Sequence, residues 1–238
     1  FGSDITADNS TTYMSFFSQM DTYGDGYAGI GVWRAAFKPL VDRIADTDIR
    51  LQWFCCDRST GVTDASGKRV TLIRDTKYPV SVEYQTVKFI GTGRDNIKAG
   101  VFSGWELGDY IYLRSEEAYM IKMEALAHKG SADAITELNS FMKTRQPDYN
   151  YTFTNKADLI EEIIYQKRVE FWGEGLEYID NRRLNIPVDR TDETWGAENN
   201  NHFSAGKFRY NQEERPFLYQ LPLSEIENNS QLSPTDQN

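Results

Sequence analysis

Apolar positions recur every three or four residues in the second half of the chain, a spacing that predicts amphipathic helices. Three of these helices are predicted over residues 109–129, 131–145 and 156–172. A fourth and shorter helix, "LEYIDNRRL" (176–184), follows Gly173 or Gly175. We therefore expect a mainly α-helical fold in which the first two helices form a hairpin.

Capping residues and prolines predict where several helices begin and end. Ser131 has a side chain that caps helices, and Pro147 requires the second helix to stop before it. An earlier helix is predicted over residues 33–45, where Pro39 should kink or divide it. The tail is predicted to hold an extended stretch and a turn of helix capped by Ser224.

Residues 49–90 change to short runs that are rich in β-forming residues. The runs "IRLQWFCC", "KRVTLI" and "VSVEYQTVKFI" predict a minor sheet or paired ribbons. Polar or glycine-rich stretches lie between the predicted elements and are expected to be loops, namely residues 1–31, 91–108 and 185–216.

The net charge of the chain says little about its fold but limits which partners it can bind. With 26 basic and 36 acidic residues the net charge is −10. An acidic surface without a basic stripe repels phosphate backbones, so no nucleic-acid partner is expected. No run of 18 apolar residues occurs, so no membrane-spanning helix is predicted. The opening residues lack the basic and apolar regions of a signal peptide, and we expect none within this chain.

Cysteine and histidine are scarce. Cys55 and Cys56 are adjacent, which does not suit disulfide geometry, so both are predicted to be small buried residues. His128 and His202 are the only histidines. A zinc site or a Ser-His-Asp site would need a lone imidazole with no motif beside it. We therefore expect no metal and no cofactor.

Two glycine-rich stretches look like ligand-binding loops but match none of the known patterns. No strand precedes "GDGYAGIG" (24–31), and a calcium loop starting at Asp21 would place Tyr23 and Val32 at ligand positions. The stretch "GTGRDN" (91–96) lacks the Gly-Lys-Ser/Thr of a phosphate loop. Both are predicted to be flexible loops.

Carboxylates at helical spacing raise the possibility of glycosidase chemistry. Glu170, Glu174 and Glu177 would place two acids on one face, as a retaining glycosidase requires. Three arginines lie nearby in the sequence and offer local ion pairs, namely Arg168, Arg182 and Arg183. Because such pairs neutralise charged faces, a structural role is the favoured interpretation.

Four segments carry a resemblance to a known family. In chain order they are "YLRSEEAYMIKMEAL" (112–126), "LNSFMKTR" (138–145), "IIYQKRVEFWGEGLEYIDNRR" (163–183) and "LYQLPLSEIENNSQLSPTDQN" (218–238). In type and order they resemble the motifs of the carboxy-terminal half of the SusD/RagB family. The resemblance is specific over about 105–238, and the earlier "PLVDRIADTDIR" (39–50) is similar to the family helix that leads to an Asp-x-Arg motif.

Some positions depart from the family pattern. The stretch Gln166-Lys167-Arg168 lacks the usual glutamate before arginine, and "LPL" (221–223) replaces the full Pro-Ile-Pro. Glu177 stands where the family usually has arginine. These departures leave the fold assignment intact, but an ion pair carried over to position 177 would have its charge reversed.

The resemblance implies a mainly α fold of tetratricopeptide-like helical hairpins with long irregular loops and minor β content. It implies one domain overall, in which 1–108 is an irregular, β-containing region facing the ligand and 109–238 is the SusD/RagB helical region. Family members are longer than this chain, so we expect it to be the later part of a longer protein.

The resemblance also implies a function. SusD-like proteins are non-catalytic lipoproteins on the outer surface of Bacteroidetes-type bacteria. They capture a glycan, starch-like or other, or in some members a peptide, and deliver it to a SusC-like TonB-dependent outer-membrane transporter. A membrane link would be only through a lipid anchor that these 238 residues do not include. Two alternatives stay open, a tetratricopeptide-type module that binds proteins or peptides and a glycoside hydrolase. The lack of several tandem units counts against the first.

Aromatic residues on irregular segments are the candidates for glycan binding. Tyr23, Tyr27 and Trp33 lie among glycines that leave rings on an accessible backbone. Trp195 lies beside Gly196 and the amide-rich "ENNN" (198–201), whose side chains suit sugar hydroxyls. The alternative for Trp33 is that it begins a helix and packs inward.

Overall fold

The computed structural model describes residues 2–11, 13–32, 34–55, 83–95, 106–214 and 219–236. Over these residues the protein is mostly helical with little strand, as the sequence predicts. The chain forms two compact units, Phe1–Gly173 and Glu174–Asn238. The predicted run "KRVTLI" (68–73), Cys56 and the side chain of Cys55 lie outside the described residues, as does Trp33.

Three helices of the first unit pack on one another. They are α3 (Ser115–His128), α4 (Asp133–Met142) and α5 (Lys156–Glu170), and α3 contacts both of the others. Gly130 has φ of +70°, which lets the chain turn sharply between α3 and α4. Side chains buried along these helices form the contact surfaces: Met120, Met123, Ala127, Ala134, Leu138, Met142, Leu159 and Ile163. The predicted helical hairpin is confirmed.

The ends of these helices follow from local hydrogen bonds. The Asn155 side chain accepts hydrogen bonds from the backbone N–H groups of Ala157 and Asp158 at the start of α5. Ser131 Oγ accepts from Asp133 N at 3.2 Å at the start of α4, although the capping position is Ala132, one residue later than predicted. Lys88 Nζ donates to the carbonyl oxygens of Glu170 and Trp172 at the end of α5. Each contact satisfies backbone groups that a helix end leaves without partners.

Two short α-helices precede α3 within the described residues. They are α1 (Phe16–Met20), capped by Ser15, and α2 (Lys38–Asp42). The prediction of a helix over 33–45 is wrong for residues 34–37, because Ala35 forms a bridge with Gln85 and Ala36 N donates to Tyr84 O at 2.8 Å. Pro39 therefore stands in the first turn of α2, where its missing N–H costs nothing, and it does not kink a longer helix.

Strands in the described residues are two residues long and pair as antiparallel ribbons. β1 (Gly2–Ser3) pairs with β4 (Tyr110–Ile111), and β2 (Phe54–Cys55) pairs with β3 (Gln85–Thr86). A 3-10 helix, Ile49–Trp53, takes up most of the predicted strand "IRLQWFCC". The expectation of paired ribbons within 49–90 is therefore correct, but the ribbon is shorter than the apolar run suggested.

A hydrophobic cluster joins the early segments to α5. Its buried members are Ala36, Val41, Ile44, Leu51, Phe54, Tyr84, Tyr165 and Val169. Leu40, Trp53 and Trp172 pack against them. The polar segment around Asp48 and Arg50 is thereby held against the inner face of α5.

The second unit contains α6 (Leu176–Leu184), α7 (Asp192–Trp195), α8 (Leu223–Asn228) and the ribbon of β5 (Val188–Asp189) with β6 (Arg209–Tyr210). The range of α6 is the one predicted from "LEYIDNRRL". The predicted loop 185–216 thus carries a ribbon and a short helix. Ser224 lies inside the first turn of α8, whose capping position is Pro222, so the predicted Ser224 cap is wrong.

Candidate functional site

Residues from four sequence motifs meet at the buried carboxylate of Glu170. Arg145 donates to both of its oxygens at 3.0 and 3.1 Å, while Arg50 and Arg114 approach at 3.4 and 3.3 Å. Asp48 forms a two-point contact with Arg50, and Glu116 lies 3.5 Å from Arg114 and 3.4 Å from Arg145. Three guanidinium groups therefore face three carboxylates, and the charges balance inside the fold.

The environment of Glu170 favours its ionised form. Burial acts to raise the pKa of Glu170, but the hydrogen bonds from Arg145 and the charges of Arg50 and Arg114 outweigh burial and hold the pKa below its ordinary value. A carboxylate held in this way cannot deliver a proton to a leaving group near neutral pH. The structural interpretation of Glu170 is supported, although its partners are not the neighbouring Arg168, Arg182 and Arg183 that the sequence suggested.

The two glycine-rich loops meet at a second buried carboxylate, that of Glu106. Its oxygens accept hydrogen bonds from the N–H groups of Asp25 at 3.0 Å and Gly93 at 2.8 Å. A Cβ at Gly24 would lie 2.0 Å from Glu106 Oε2. The glycines of both stretches leave room for this side chain, so the described residues pack closely around it, while the flexibility of the loops stays a prediction.

Burial, followed by the charge of Asp21, raises the pKa of Glu106 to about 7, although the two N–H donors act in the opposite direction. The Asp21 carboxylate also links the two loops, because it accepts hydrogen bonds from the N–H groups of Tyr23 at 3.0 Å and Gly91 at 2.8 Å. This acidic interior anchors the loop that carries the first two candidate aromatic residues.

Those two aromatic residues, Tyr23 and Tyr27, differ in their exposure to solvent. Tyr23 is only 5% exposed, so its ring does not present a face to a ligand, and it is withdrawn as a stacking residue. Tyr27 is 42% exposed, and its backbone N–H donates to Ser18 Oγ at 3.0 Å. Tyr27 therefore combines an anchored backbone with an accessible ring. Trp33, the third candidate of this segment, lies outside the described residues.

Trp195, in the second unit, ends α7 and is 37% exposed. Its indole Nε1–H donates to the carbonyl oxygen of Asp189 at 2.9 Å, which fixes one edge of the ring. Gly196 follows with φ of +78°, a conformation that favours glycine. The polar edge of the indole is thus satisfied within the protein, and part of the ring remains open to solvent.

Hydrogen bonds hold the loop around Trp195. The Asp189 carboxylate accepts from Thr191 N at 3.0 Å and from the hydroxyls of Thr191 and Thr194 at 2.7 Å each. Asn200 donates to Asp192 at 2.8 Å, and Lys207 donates to the same carboxylate at 2.7 Å. The Asn200 amide of the predicted "ENNN" stretch therefore donates within the loop instead of to a ligand.

One aromatic candidate on this loop was missed. Phe203 is 75% exposed, beside His202 and within the same stretch between α7 and β6. In the sequence Phe203 is an isolated aromatic residue among polar residues, which is the pattern that identified Trp195. Burial, with the charges of Arg190 and Lys207, lowers the pKa of the neighbouring His202.

The described part of the chain shows neither a metal-ligand cluster nor a membrane-spanning helix. There, no three histidine, cysteine or acidic side chains are placed to hold a metal ion. No helix among those residues has the length and apolar character needed to cross a membrane.

Comparison with known proteins gives one family and one fold. The sequence model of the SusD family matches residues 83–238. A crystal structure described as a SusD-like carbohydrate binding protein from Bacteroides vulgatus superposes with a TM-score of 0.60 at 21% identity, over 98% of this chain and 47% of that protein. The chain thus spans about half the length of this relative. Among curated proteins, none matches.

Proposed function

This chain belongs to the SusD family, whose sequence model covers residues 83–238, and we propose that it binds glycans without transforming them. The observation that carries this proposal is the state of Trp195, a partly exposed indole whose N–H is satisfied by Asp189 O. An aromatic ring fixed in this way offers a flat apolar surface to the C–H face of a sugar ring. The fold shared with a carbohydrate-binding relative supports the same ligand class.

Binding in this proposal is the sum of weak contacts. Trp195 and Tyr27 each supply a ring in their own unit, and Trp33 remains a proposed third. Tyrosine hydroxyls and amide groups near these rings would hydrogen-bond sugar hydroxyls. Several rings are needed because one stacking contact contributes only about 1 kcal/mol.

We also propose that the protein does not hydrolyse its glycan, and the environment of Glu170 supports this. Glu170 is 1% exposed and its oxygens are occupied by arginines. A retaining glycosidase needs two accessible acids at a fixed separation. A glutamate buried beneath three guanidinium groups does not meet that requirement.

The cellular role extends the proposal. We assign the protein to the outer membrane surface of a Bacteroidetes-type bacterium, anchored by lipid, where it delivers its glycan to a SusC-like TonB-dependent transporter. Family membership is the support for this role. Because this chain spans about half of its structural relative, the anchor and the transporter contacts are proposed for the whole protein.

A binding panel with a turnover assay tests the proposal. Calorimetry against polysaccharides, with a reducing-sugar assay on the same samples, should show binding without release of sugar. Trp195→Ala should weaken the binding by about fivefold, the effect of about 1 kcal/mol, and Trp195→Phe should restore part of it.

Glu193→Gln provides the control, because Glu193 is exposed on the same short helix. Binding that Trp195→Ala leaves unchanged would remove this ring from the site. Sugar release by the wild type would overturn the non-catalytic assignment, and binding confined to peptides would favour the interaction-module alternative.

A further inference from the structure

A polar cleft of about 320 Å³ lies in the first unit, and neither of the candidate rings Tyr27 and Trp195 lines it. Three segments form its walls: residues 43–48 after α2, residues 146–151 between α4 and α5, and residues 162–166 in the middle of α5. The volume is at the lower end of the range for small-molecule sites, which suits one or two sugar rings better than a long chain.

The walls of the cleft are tied to each other. Thr47 Oγ1 donates to Asp148 Oδ1 at 2.7 Å, and Ile49 N donates to Arg145 O at 2.9 Å. The Tyr151 backbone forms hydrogen bonds with the Asn139 side chain in both directions, at 2.7 and 3.1 Å. The segment 146–151 is therefore held in place without a ligand, and binding requires little ordering of the chain.

Three tyrosines line the cleft, namely Tyr149, Tyr151 and Tyr165. Tyr149 and Tyr151 are nearly parallel, at 19° with centroids 6.5 Å apart, and Tyr149 is buried while Tyr151 is partly exposed. The Arg43 guanidinium lies 3.8 Å from the Tyr165 ring centroid and covers that ring. Tyr151 is thus the accessible face that a ligand can stack on.

Polar side chains also line the cleft, and hydrogen bonds already orient them. Glu162 Oε1 accepts from Tyr149 Oη at 2.9 Å and from Gln166 Nε2 at 2.6 Å, and Arg43 pairs with the second oxygen. Burial raises the pKa of Tyr149 above its usual range, so the phenol stays a neutral donor. The exposed Asn150 amide and the half-exposed Arg43 provide donors and acceptors toward solvent.

The charges narrow the ligand class. Asp48, Asp148 and Glu162 line the cleft together with the single cation Arg43. Arg43 is already paired with Glu162 and Asp48 with Arg50, which leaves the Asp148 carboxylate to repel an anionic sugar. A purely apolar ligand would leave these polar groups without solvent or partners. A neutral ligand with many hydroxyl groups satisfies both conditions.

We propose that this cleft is a saccharide subsite for a neutral sugar of one or two rings, stacked on Tyr151 and hydrogen-bonded by Arg43 and Asn150. The choice of a sugar rests on the proposed function, whereas the site itself is separate from Tyr27 and Trp195. It would hold a short end or branch of the glycan against the helical part of the first unit.

The test is a titration of the full chain followed by NMR at the backbone amides of Asn150 and Tyr151. The probes are maltose and cellobiose as neutral sugars, galacturonate as an anion and glucosamine as a cation. The neutral sugars should shift both amides, and galacturonate should not. A response to glucosamine with none to the neutral sugars would overturn the assignment of a neutral ligand.

Three variants separate binding from folding. Ala45→Trp fills the cleft and should abolish the shifts, and Tyr151→Leu should weaken binding by about fivefold, corresponding to about 1 kcal/mol. Asn150→Ala alters an exposed side chain and should weaken binding while thermal stability is unchanged. Tyr119→Leu removes an exposed ring on α3 that does not line the cleft and is the control.

The outcomes distinguish this proposal from the proposed function. If the wild type binds polysaccharide in a Trp195-dependent way but the three cleft variants match it, only the cleft assignment fails. If the wild type binds no sugar and no polysaccharide, both proposals fail. If Ala45→Trp does not fold, Asn150→Ala decides, and unchanged affinity in that variant overturns the subsite.

Discussion

Arg145 and Glu170 face each other in a two-point contact, with Nε 3.1 Å from Oε2 and Nη2 3.0 Å from Oε1. Arg145 comes from "LNSFMKTR" and Glu170 from the motif that follows it, so two segments that carry the family resemblance meet in one ion pair. Arg50 and Arg114 complete the cluster from two further motifs. These motif residues therefore build the scaffold, and the proposed ligand contacts lie on loops and in the cleft.

Glu170→Gln should destabilise the protein without affecting glycan binding. The substitution removes one negative charge from a balanced cluster, so that three guanidinium groups face two carboxylates. The free energy of unfolding should fall by about 3 kcal/mol, measured by urea denaturation. Glu161→Gln is the matched control, because Glu161 is largely exposed and its contact with Arg43 is 3.8 Å long.

The pH dependence of the same group gives a second check. The pKa of folded Glu170 lies below its ordinary value of 4.5, so its stabilisation is complete above pH 4.5 and is lost as the pH falls through the lower folded pKa. Wild type and Glu170→Gln should therefore converge in stability in acid. A constant difference down to pH 2 would contradict an electrostatic origin.

Glu106 should make the protein more stable in mild acid than at neutral pH. Its pKa is about 7 in the folded state and ordinarily 4.5, so between these values the unfolded chain releases a proton that the folded chain keeps. The contribution of Glu106 to the free energy of unfolding should fall by about 3 kcal/mol as the pH rises through this window. Because the effect of Glu170 on stability lies below pH 4.5, the pH ranges of the Glu170 and Glu106 effects do not overlap.

Chemical denaturation at several pH values tests this assignment. Glu106→Gln should remove the decline between pH 4.5 and 7, whatever its effect on absolute stability. Glu83→Gln, which alters an exposed glutamate, should retain the decline. A decline that persists unchanged in Glu106→Gln would assign it to another group.

Gly24→Ala should destabilise the first unit. The added Cβ would lie 2.0 Å from Glu106 Oε2 and 2.4 Å from its Cδ, and Glu106 is held by the N–H groups of Asp25 and Gly93. We expect a loss of about 2 kcal/mol in the free energy of unfolding. In Gly206→Ala the nearest atom is Cε1 of the exposed Phe203 ring at 3.3 Å, which can move, so that control should change stability by less than about 0.5 kcal/mol.

Asp189→Ala should loosen the loop that carries Trp195. The substitution removes an acceptor of three hydrogen bonds from Thr191 and Thr194, and it leaves the backbone carbonyl that binds the indole in place. The Thr191 amide should exchange about tenfold faster, and glycan affinity should fall with it. Glu193→Ala, on the exposed side of the same turn, should change neither. Faster exchange with unchanged affinity would separate Trp195 from the binding site.

The sequence by itself determined the helices, because their signals are local. Apolar spacing and end signals placed α5 and α6 almost to the residue, and the order of the motifs identified the family. Local signals failed at Pro39, where pairing of Ala35 with Gln85 replaced the first turns of the predicted helix. The two aromatic candidates that stay accessible, Tyr27 and Trp195, were also visible as rings among glycine and polar residues.

The tertiary structure alone decided which charges meet and which rings are open. Glu170 draws its partners from positions 25, 56 and 120 residues away, while its sequence neighbours suggested other arginines. Glu106 likewise brings two glycine-rich stretches together, through Asp25 81 residues away and Gly93 13 residues away. Burial removed Tyr23 from the candidate stacking residues, and three separate segments form the cleft around Tyr151. Ion pairing and burial depend on distances through space, and those distances exist only once the chain has folded.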